Sequence, residues 1–411
     1  MLVLCVIGMA ATQRIMECDS SNNTAGIAMA LSFSLTKHPS MVLEAGCAAR
    51  TGQHVTDTVG AGSRVLLVCD PAMVELGHAD KVRASIAESG HTVEQFSDLH
   101  SDPKEASVDA ATRQAFEMKA DCIVGLGGGS ALDTSKVVAA LAHTGEGCEP
   151  YRLAHHQLPF RKTAMIALPT TAGTGSETTG TSIISQADGV KNWFWGPPLK
   201  PDMALMDPEL TVGLPAFWTF YTGLDALVHS VESRTNRYEY AQNAPLAETG
   251  IRQAWQSLKQ AVNEPDNLEA RTGMMMAAAY GGLAIGNTGC AVAHNIGHAL
   301  GSLAGIPHGR AVSVSLVHTL GWTMEGNPDA FDAVADVMGV GSKAAIADAL
   351  HEMADSCGQS LSLSAEEKSK LDAQTLADDM RAEANIAMLE ATARDASQKD
   401  VESLAISVLE G

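Results

Sequence analysis

The sequence predicts an α/β N-terminal dinucleotide-binding domain, a parallel sheet with flanking helices, followed by an all-α C-terminal helical domain. Three observations predict it. Short apolar runs alternate with helical text through the first half. Two glycine- and threonine-rich turns follow strand-like runs. From about residue 215, β-branched runs give way to Ala, Leu, Met and Glu at helical spacing.

The elements follow in order. RVLLVC (64–69) is an apolar strand ending at Asp70-Pro71. Helical text covers 73–89, and Gly90 stops it. HTVEQF (91–96) is the next strand, with a helix at about 104–119. DCIVGL (121–126) is a buried strand leading into three glycines, and a helix runs from Ser130 to about Ala142. TAMIAL (163–168) runs into Pro169-Thr170-Thr171. Strand alternating with helix indicates parallel pairing. In the second half, 222–235, 241–262, 268–286, 290–303 and 309–324 have helical length and spacing, as does the tail at 365–409. We place the boundary at Leu214-Pro215. Residues 1–30 are then an N-terminal extension, 31–214 the α/β domain and 215–411 the helical domain.

Composition narrows the function. With 45% apolar and 18% charged residues over 411 positions, the chain is globular and large enough to bury its own core. A net charge of -21 excludes bulk electrostatic binding to nucleic acid or to an anionic membrane. The eight cysteines (5, 18, 47, 69, 122, 148, 290 and 357) form no CxxC pair and read as free thiols of a reducing, cytoplasmic compartment. Cys290, four residues before His294, is within reach of an active site there, but the reading preferred is a small core residue. The apolar run 2–11 is too short for a bilayer and lacks a basic leader. We read residues 1–30 as an appendage or an over-extended gene start, with Met29 an alternative start.

Two turns carry ligand chemistry. In DCIVGLGGGSALDTSK (121–136), Gly127, Gly128 and Gly129 permit positive φ and close backbone approach, and Ser130 is placed to cap the following helix. Free N–H groups at such a helix start suit a pyrophosphate. In LPTTAGTGSE (168–177), Thr170, Thr171, Thr174 and Ser176 gather hydroxyls at a strand end. Asp70, closing the first strand, suits a ribose 2′-hydroxyl and repels a 2′-phosphate, favouring NAD over NADP.

A metal constellation lies in the helical half. Asp225 and His229 in GLDALVHSVE share a helix face, as do His294 and His298 in HNIGH, and His308 follows in IPHG. One carboxylate with imidazoles suits a divalent first-row metal. Spacing alone leaves five candidates for the ligand set. A metal there would polarise an alcohol oxygen beside a nicotinamide held by the glycine turns.

Together these motifs resemble the iron-containing (group III) alcohol dehydrogenase family, with its dehydroquinate-synthase-like fold. The resemblance runs from about residue 31 to 325, through FSLTKHPSMVLEAG, VLLVCD, GGGSALDTSK, PTTAGTGSE, MDPEL, GLDALVHSVE, AHNIGHALG and IPHG. It implies Asp225, His229, His294 and His308 as metal ligands and His298 as a proton carrier near the nicotinamide. It implies Gly128, Gly129, Ser130 and Asp133 at the pyrophosphate, Thr170, Thr171 and Thr174 at the nucleotide, Lys191 at the ribose, and an NAD-selecting Asp70. Asp102 stands where an asparagine often sits near the adenosine. Trp193 and Trp195 are more aromatic than is usual there and read as packing at a domain or dimer interface, while Thr181 and Ile183 are candidate pocket or core residues. Past about residue 330 the match is weak.

The expected function is hydride transfer between NAD and a small alcohol, aldehyde, hydroxy acid or oxo acid, with Fe(II) or Zn(II). The expected assembly is a homodimer or higher homo-oligomer. The alternatives are a maleylacetate-reductase-like or hydroxyacid–oxoacid transhydrogenase activity and, in another class, a dehydroquinate-synthase-type lyase. The lyase calls for a Glu-led ligand set and several basic pocket residues, whereas Asp225 leads here.

Overall fold

The structure, a computed structural model, describes residues 36–99 and 101–411. The N-terminal extension, with Cys5, Cys18 and Met29, lies outside the described residues. The sheet half contains β1 (Ser40–Leu43), α1 (Thr51–Val59), β2 (Arg64–Cys69), α2 (Pro71–Glu75), α3 (His78–Glu88), β3 (Thr92–Phe96), α4 (Glu105–Glu117), β4 (Cys122–Gly127), α5 (Gly129–Leu141), β5 (Ala164–Pro169), β6 (Thr181–Ser185), β7 (Lys191–Trp195) and β8 (Met203–Met206). Six of these strands form one parallel sheet in the order β1-β8-β5-β4-β2-β3, and β6 and β7 form a separate antiparallel hairpin.

Both sheet faces are buried, which explains the unbroken apolar runs in the central strands. Leu66 and Val68 of β2 pack with Val108 and Ala111 of α4 and Val137 of α5. The alternate residues Val65 and Leu67 pack with Val55 of α1 and Val82 and Ile86 of α3. Strand order reverses at β2, whose neighbours are β3 on one side and β4 on the other. Ligands of open α/β sheets bind at such a switch point, outside the carboxyl ends of the strands.

The helical half contains α6 (Ala216–Thr235), α7 (Ala244–Asn263), α8 (Leu268–Thr288), α9 (Val292–Ala304), α10 (His308–Met324), α11 (Pro328–Met338), α12 (Ile346–Ser356), α13 (Ala365–Ser369), α14 (Ala373–Met380), α15 (Ile386–Ala391) and α16 (Gln398–Glu410). α6 is buried along most of its length, so an apolar stripe alone could not have oriented it. No helix among the described residues is long and apolar enough to cross a membrane.

Three local expectations change. The helix expected over 73–89 breaks into α2 and α3, because Gly77 adopts φ +74° between them. Ser130 does not cap α5. Extended backbone at Gly128 starts that helix one residue earlier than expected, without a side-chain cap. The continuous helical tail is four short helices, two of them opened by capping boxes at Ser364 and Ser397.

Candidate metal and dinucleotide site

Asp225, His229 and Glu232 project from one face of α6, at spacings of four and three residues. His294 and His298 project from α9, one turn apart. Gly305, at φ +68°, ends α9, and Pro307 sets His308 at the first position of α10. This reversal returns His308 to the other histidines. Asp225 Oδ1 then lies 3.5 Å from His294 Nε2, 3.7 Å from His308 Nε2 and 3.9 Å from His229 Nε2. Donors about 2.1 Å from a tetrahedral metal are separated by about 3.4 Å.

Asp225 Oδ1 and His294 Nε2 are buried and have no hydrogen-bond partner. A buried polar atom without a partner costs about 1–3 kcal/mol, so two facing each other fit an intervening cation. Burial alone would raise the Asp225 carboxyl, but His229, His308 and His294 outweigh it and hold it well below the carboxylate range. Burial pushes the His308 imidazole down to about 4. At His229 and His294 burial is outweighed by neighbouring anionic groups, Asp225 at His229 and Cys290, Glu232 and Asp225 at His294, which raise both, so a cation would displace protons from these two rings. Neutral imidazole and ionised carboxylate are the forms that ligate metals. His298 belongs to neither cluster of donor atoms that lie within 4.8 Å of one another, although its ring centroid is 5.4 Å from that of His308; its pKa lies well below the ordinary value through burial, then His308, His294 and Lys191.

The sheet half builds its site from backbone. Asp70, at the end of β2, accepts a hydrogen bond from Gly128 N at 3.1 Å across the switch point. Burial raises its carboxyl, and that N–H opposes the rise. Gly127 adopts φ +150°, and a Cβ there would lie 2.2 Å from Asp70 Oδ2. Gly129 would meet Thr174 at 2.9 Å, and Gly128 would meet Thr171 at 3.4 Å. Thr170 N donates to Gly127 O, so the two turns are joined at adjacent strand ends. Ser130 lies in the first turn of α5.

Asp133 faces inward: it accepts from Ser176 Oγ at 2.5 Å and from Ile183 N at 2.8 Å. It thereby ties the glycine helix to the threonine turn and the hairpin. Lys191 Nζ pairs with Asp102 Oδ1 at 2.8 Å and lies 3.4 Å from the Cβ position of Gly301 on α9. Asp102 holds φ +59°. Trp193 lies across from Ile183 and is half-buried, while Trp195 lies across from Thr181 and is 40% exposed.

The profile described as iron-containing alcohol dehydrogenase matches residues 39–208, and the family's C-terminal profile matches 219–408. The chain belongs to the iron-containing alcohol dehydrogenase family. A choline dehydrogenase from Bacillus subtilis is 31% identical over 72% of this chain and 74% of that protein. An NAD-dependent methanol dehydrogenase from Bacillus methanolicus is 29% identical over 73% of this chain and 78% of that protein. A crystal structure of a 1,3-propanediol oxidoreductase superposes with TM-score 0.82 at 26% identity, covering 92% of this chain and 100% of that one. As a member of this family, the chain is an oxidoreductase of the alcohol dehydrogenase class.

Three contributors escaped the sequence reading. Glu232 accepts from His294 Nδ1 at 2.6 Å, from Ala291 N at 2.7 Å and from Ala293 N at 2.6 Å. It therefore caps α9, which has no side-chain cap at its own Ala291, and fixes the His294 ring. Its place in GLDALVHSVE, one turn past His229, was the available signal. Lys136 is fully buried, donating to Ser176 O, Ser176 Oγ and Thr179 Oγ1 and pairing with Asp133. Burial pushes Glu177 up to about 7. Of the two readings of Cys290, the approach to the site is the one the geometry favours: it is half-buried, with its sulfur beside His229 and His294. The other described cysteines (47, 69, 122, 148 and 357) are buried free thiols, as expected.

Proposed function

We propose that this chain interconverts a small primary alcohol and its aldehyde with NAD, using Fe(II) held by Asp225, His229, His294 and His308. Zn(II) is the second metal this donor set suits. The observation that carries the reading is the buried, unpartnered Asp225 oxygen facing three imidazoles at 3.5–3.9 Å. The cation would polarise the alcohol oxygen and lower its pKa, and NAD would accept the hydride.

This chain's own groups do the rest. Glu232 holds the His294 ring by Nδ1, leaving Nε2 to face Asp225. His298, its ring 5.4 Å from that of His308, is the group placed to take the proton released on oxidation and return it on reduction. Gly127, Gly128 and Gly129 admit the pyrophosphate, with Ser130 in the first helical turn and Thr170, Thr171 and Thr174 alongside. Asp133 holds that turn in place. Asp70 selects NAD, and the Asp102–Lys191 pair marks the ribose side. The same reading divides the chain at Leu214-Pro215 into a nucleotide unit and a metal unit. It places the enzyme in the cytoplasm as a homodimer or higher homo-oligomer.

A neutral substrate is favoured over a hydroxy acid. Arg310, two residues from His308, is committed to Glu367, Tyr221 and the carbonyls of Ser360 and Ser362. Lys136 is committed internally, and Lys191 pairs with Asp102. The same commitments weigh against a lyase acting on a phosphorylated substrate. Matched alcohols, hydroxy acids and aldehydes, assayed with NAD or NADH and added Fe(II), test this by NADH absorbance. Turnover of short neutral alcohols above their carboxylated analogues is expected. Preferred turnover of hydroxy acids, or no turnover of any alcohol by enzyme loaded with metal and NAD, would overturn it.

A further inference from the structure

We propose that the metal centre contains a sulfur-bearing subsite, His229–Cys290–His294, that takes a soft divalent cation such as Cd(II). The proposal rests on the reading of this centre as a metal site, and it adds that where a cation sits depends on its softness.

The geometry divides the donors into two groups. The donor atoms of Asp225, His294 and His308 lie within 4.8 Å of one another, and so do those of His229, Cys290 and His294. His294 belongs to both. His229 lies outside the first group: of the three Nε2 atoms that face Asp225 Oδ1, its own is the farthest, at 3.9 Å. Its Nδ1 is also buried without a partner, unlike His294 Nδ1, which Glu232 holds. Metal-bound histidines almost always anchor the second ring nitrogen. His229 is thus buried with an unpartnered nitrogen, and one of its ring nitrogens lies within 4.8 Å of the Cys290 sulfur, a pairing that points to a shared ligand.

The chain holds Cys290 there by design of its backbone. Gly289, at φ +76°, ends α8, and α9 begins at Val292, so a short turn presents Cys290 to the two rings. Glu232 accepts from the backbone N–H of Ala291 and Ala293, fixing that turn. The carboxylate that orients His294 thus also places the sulfur. The His229 and His294 rings stack at 4.4 Å between centroids.

The two donor sets differ in chemistry. Asp225 with imidazoles is a hard-to-borderline set that suits Fe(II) or Mn(II), whereas one thiolate with two imidazoles favours Cd(II) and other soft ions, Zn(II) being accepted by either. Binding at the sulfur releases the thiol proton to solvent as the cation–sulfur bond forms, with no change in oxidation state. A cation held this way is not held by Asp225 and His308, the pair beside His298.

Cadmium(II), a soft ion, reports thiolate ligation through a sulfur-to-metal charge-transfer band in the ultraviolet. Metal-free full-length enzyme titrated with Cd(II) is expected to develop that band. Cys290→Ser, checked by circular dichroism for an intact fold, is expected to lose the band. Asp225→Asn is expected to keep it. Cd(II) bound at full stoichiometry without the band overturns this inference and leaves the metal reading standing. A band that persists in Cys290→Ser overturns it as well. Failure to bind Cd(II) while Fe(II) still binds overturns this inference alone, and failure to bind either ion overturns both.

Discussion

The two halves of the molecule build their sites by opposite means. The helical half uses side chains: a carboxylate and imidazoles on three buried helices converge with unpartnered atoms facing one another. The sheet half uses backbone: glycines at adjacent strand ends leave space that a methyl group would fill, and the threonines and Asp70 border it. Side-chain convergence is disrupted by truncation, whereas a backbone cradle is disrupted by addition or by a changed border. The hairpin β6–β7 connects them, through Asp133 at Ile183 N and through Lys191 beside Gly301.

The largest effect expected from a variant that still holds metal is at His298. His298→Ala should retain metal and lower kcat by about 10²–10⁴-fold, the range of general acid–base catalysis. Steady-state kinetics with metal analysis check this, and loss of metal would move His298 into the ligand set. Glu232→Gln comes next. It should weaken metal affinity by about 10–100-fold, because an orienting carboxylate contributes that much. Metal-binding titrations measure it. An unchanged affinity would reduce Glu232 to a helix cap.

A third variant tests the rigidity of the helical half. Arg310 hydrogen bonds hold the Glu367 carboxyl down to about 2, against an ordinary value of 4.5. Its stabilisation is present in full above the unfolded-state value and is lost as pH falls from about 4.5 through about 2. Glu367→Gln should therefore cost about 2 kcal/mol at neutral pH and flatten the acid arm of the Tm–pH curve. Parallel curves for variant and wild type would remove the pair from the account. The smallest effect is expected on the sheet side. Asp70→Gly should raise the NADP/NAD ratio of kcat/KM severalfold. Asp70→Asn, which preserves an acceptor for Gly128 N, should raise it too if charge is the discriminator. An unchanged ratio in both would leave Asp70 a support of the glycine turn.

How much the sequence revealed follows the same division. Parallel strands and long helices were legible because apolar runs and helical spacing are local. Asp225 with His229 and His294 with His298 were legible as helix-face pairs. The approach of His308 to Asp225 was not, since it depends on the turn at Gly305 and Pro307. Glu232 was invisible as a partner of His294 because 62 residues separate them. Asp133 was assigned to a phosphate, yet its oxygens face Ser176 and Ile183, partners that exist only once the hairpin has folded back. The break at Gly77 was hidden by helix-forming residues on both sides.

His294 bears most directly on the central claim, because both donor sets include it. The decisive measurement is the metal content of purified His294→Ala beside wild type, with circular dichroism confirming the fold. The account predicts a full complement in wild type and none in the variant. Full occupancy in folded His294→Ala would contradict it.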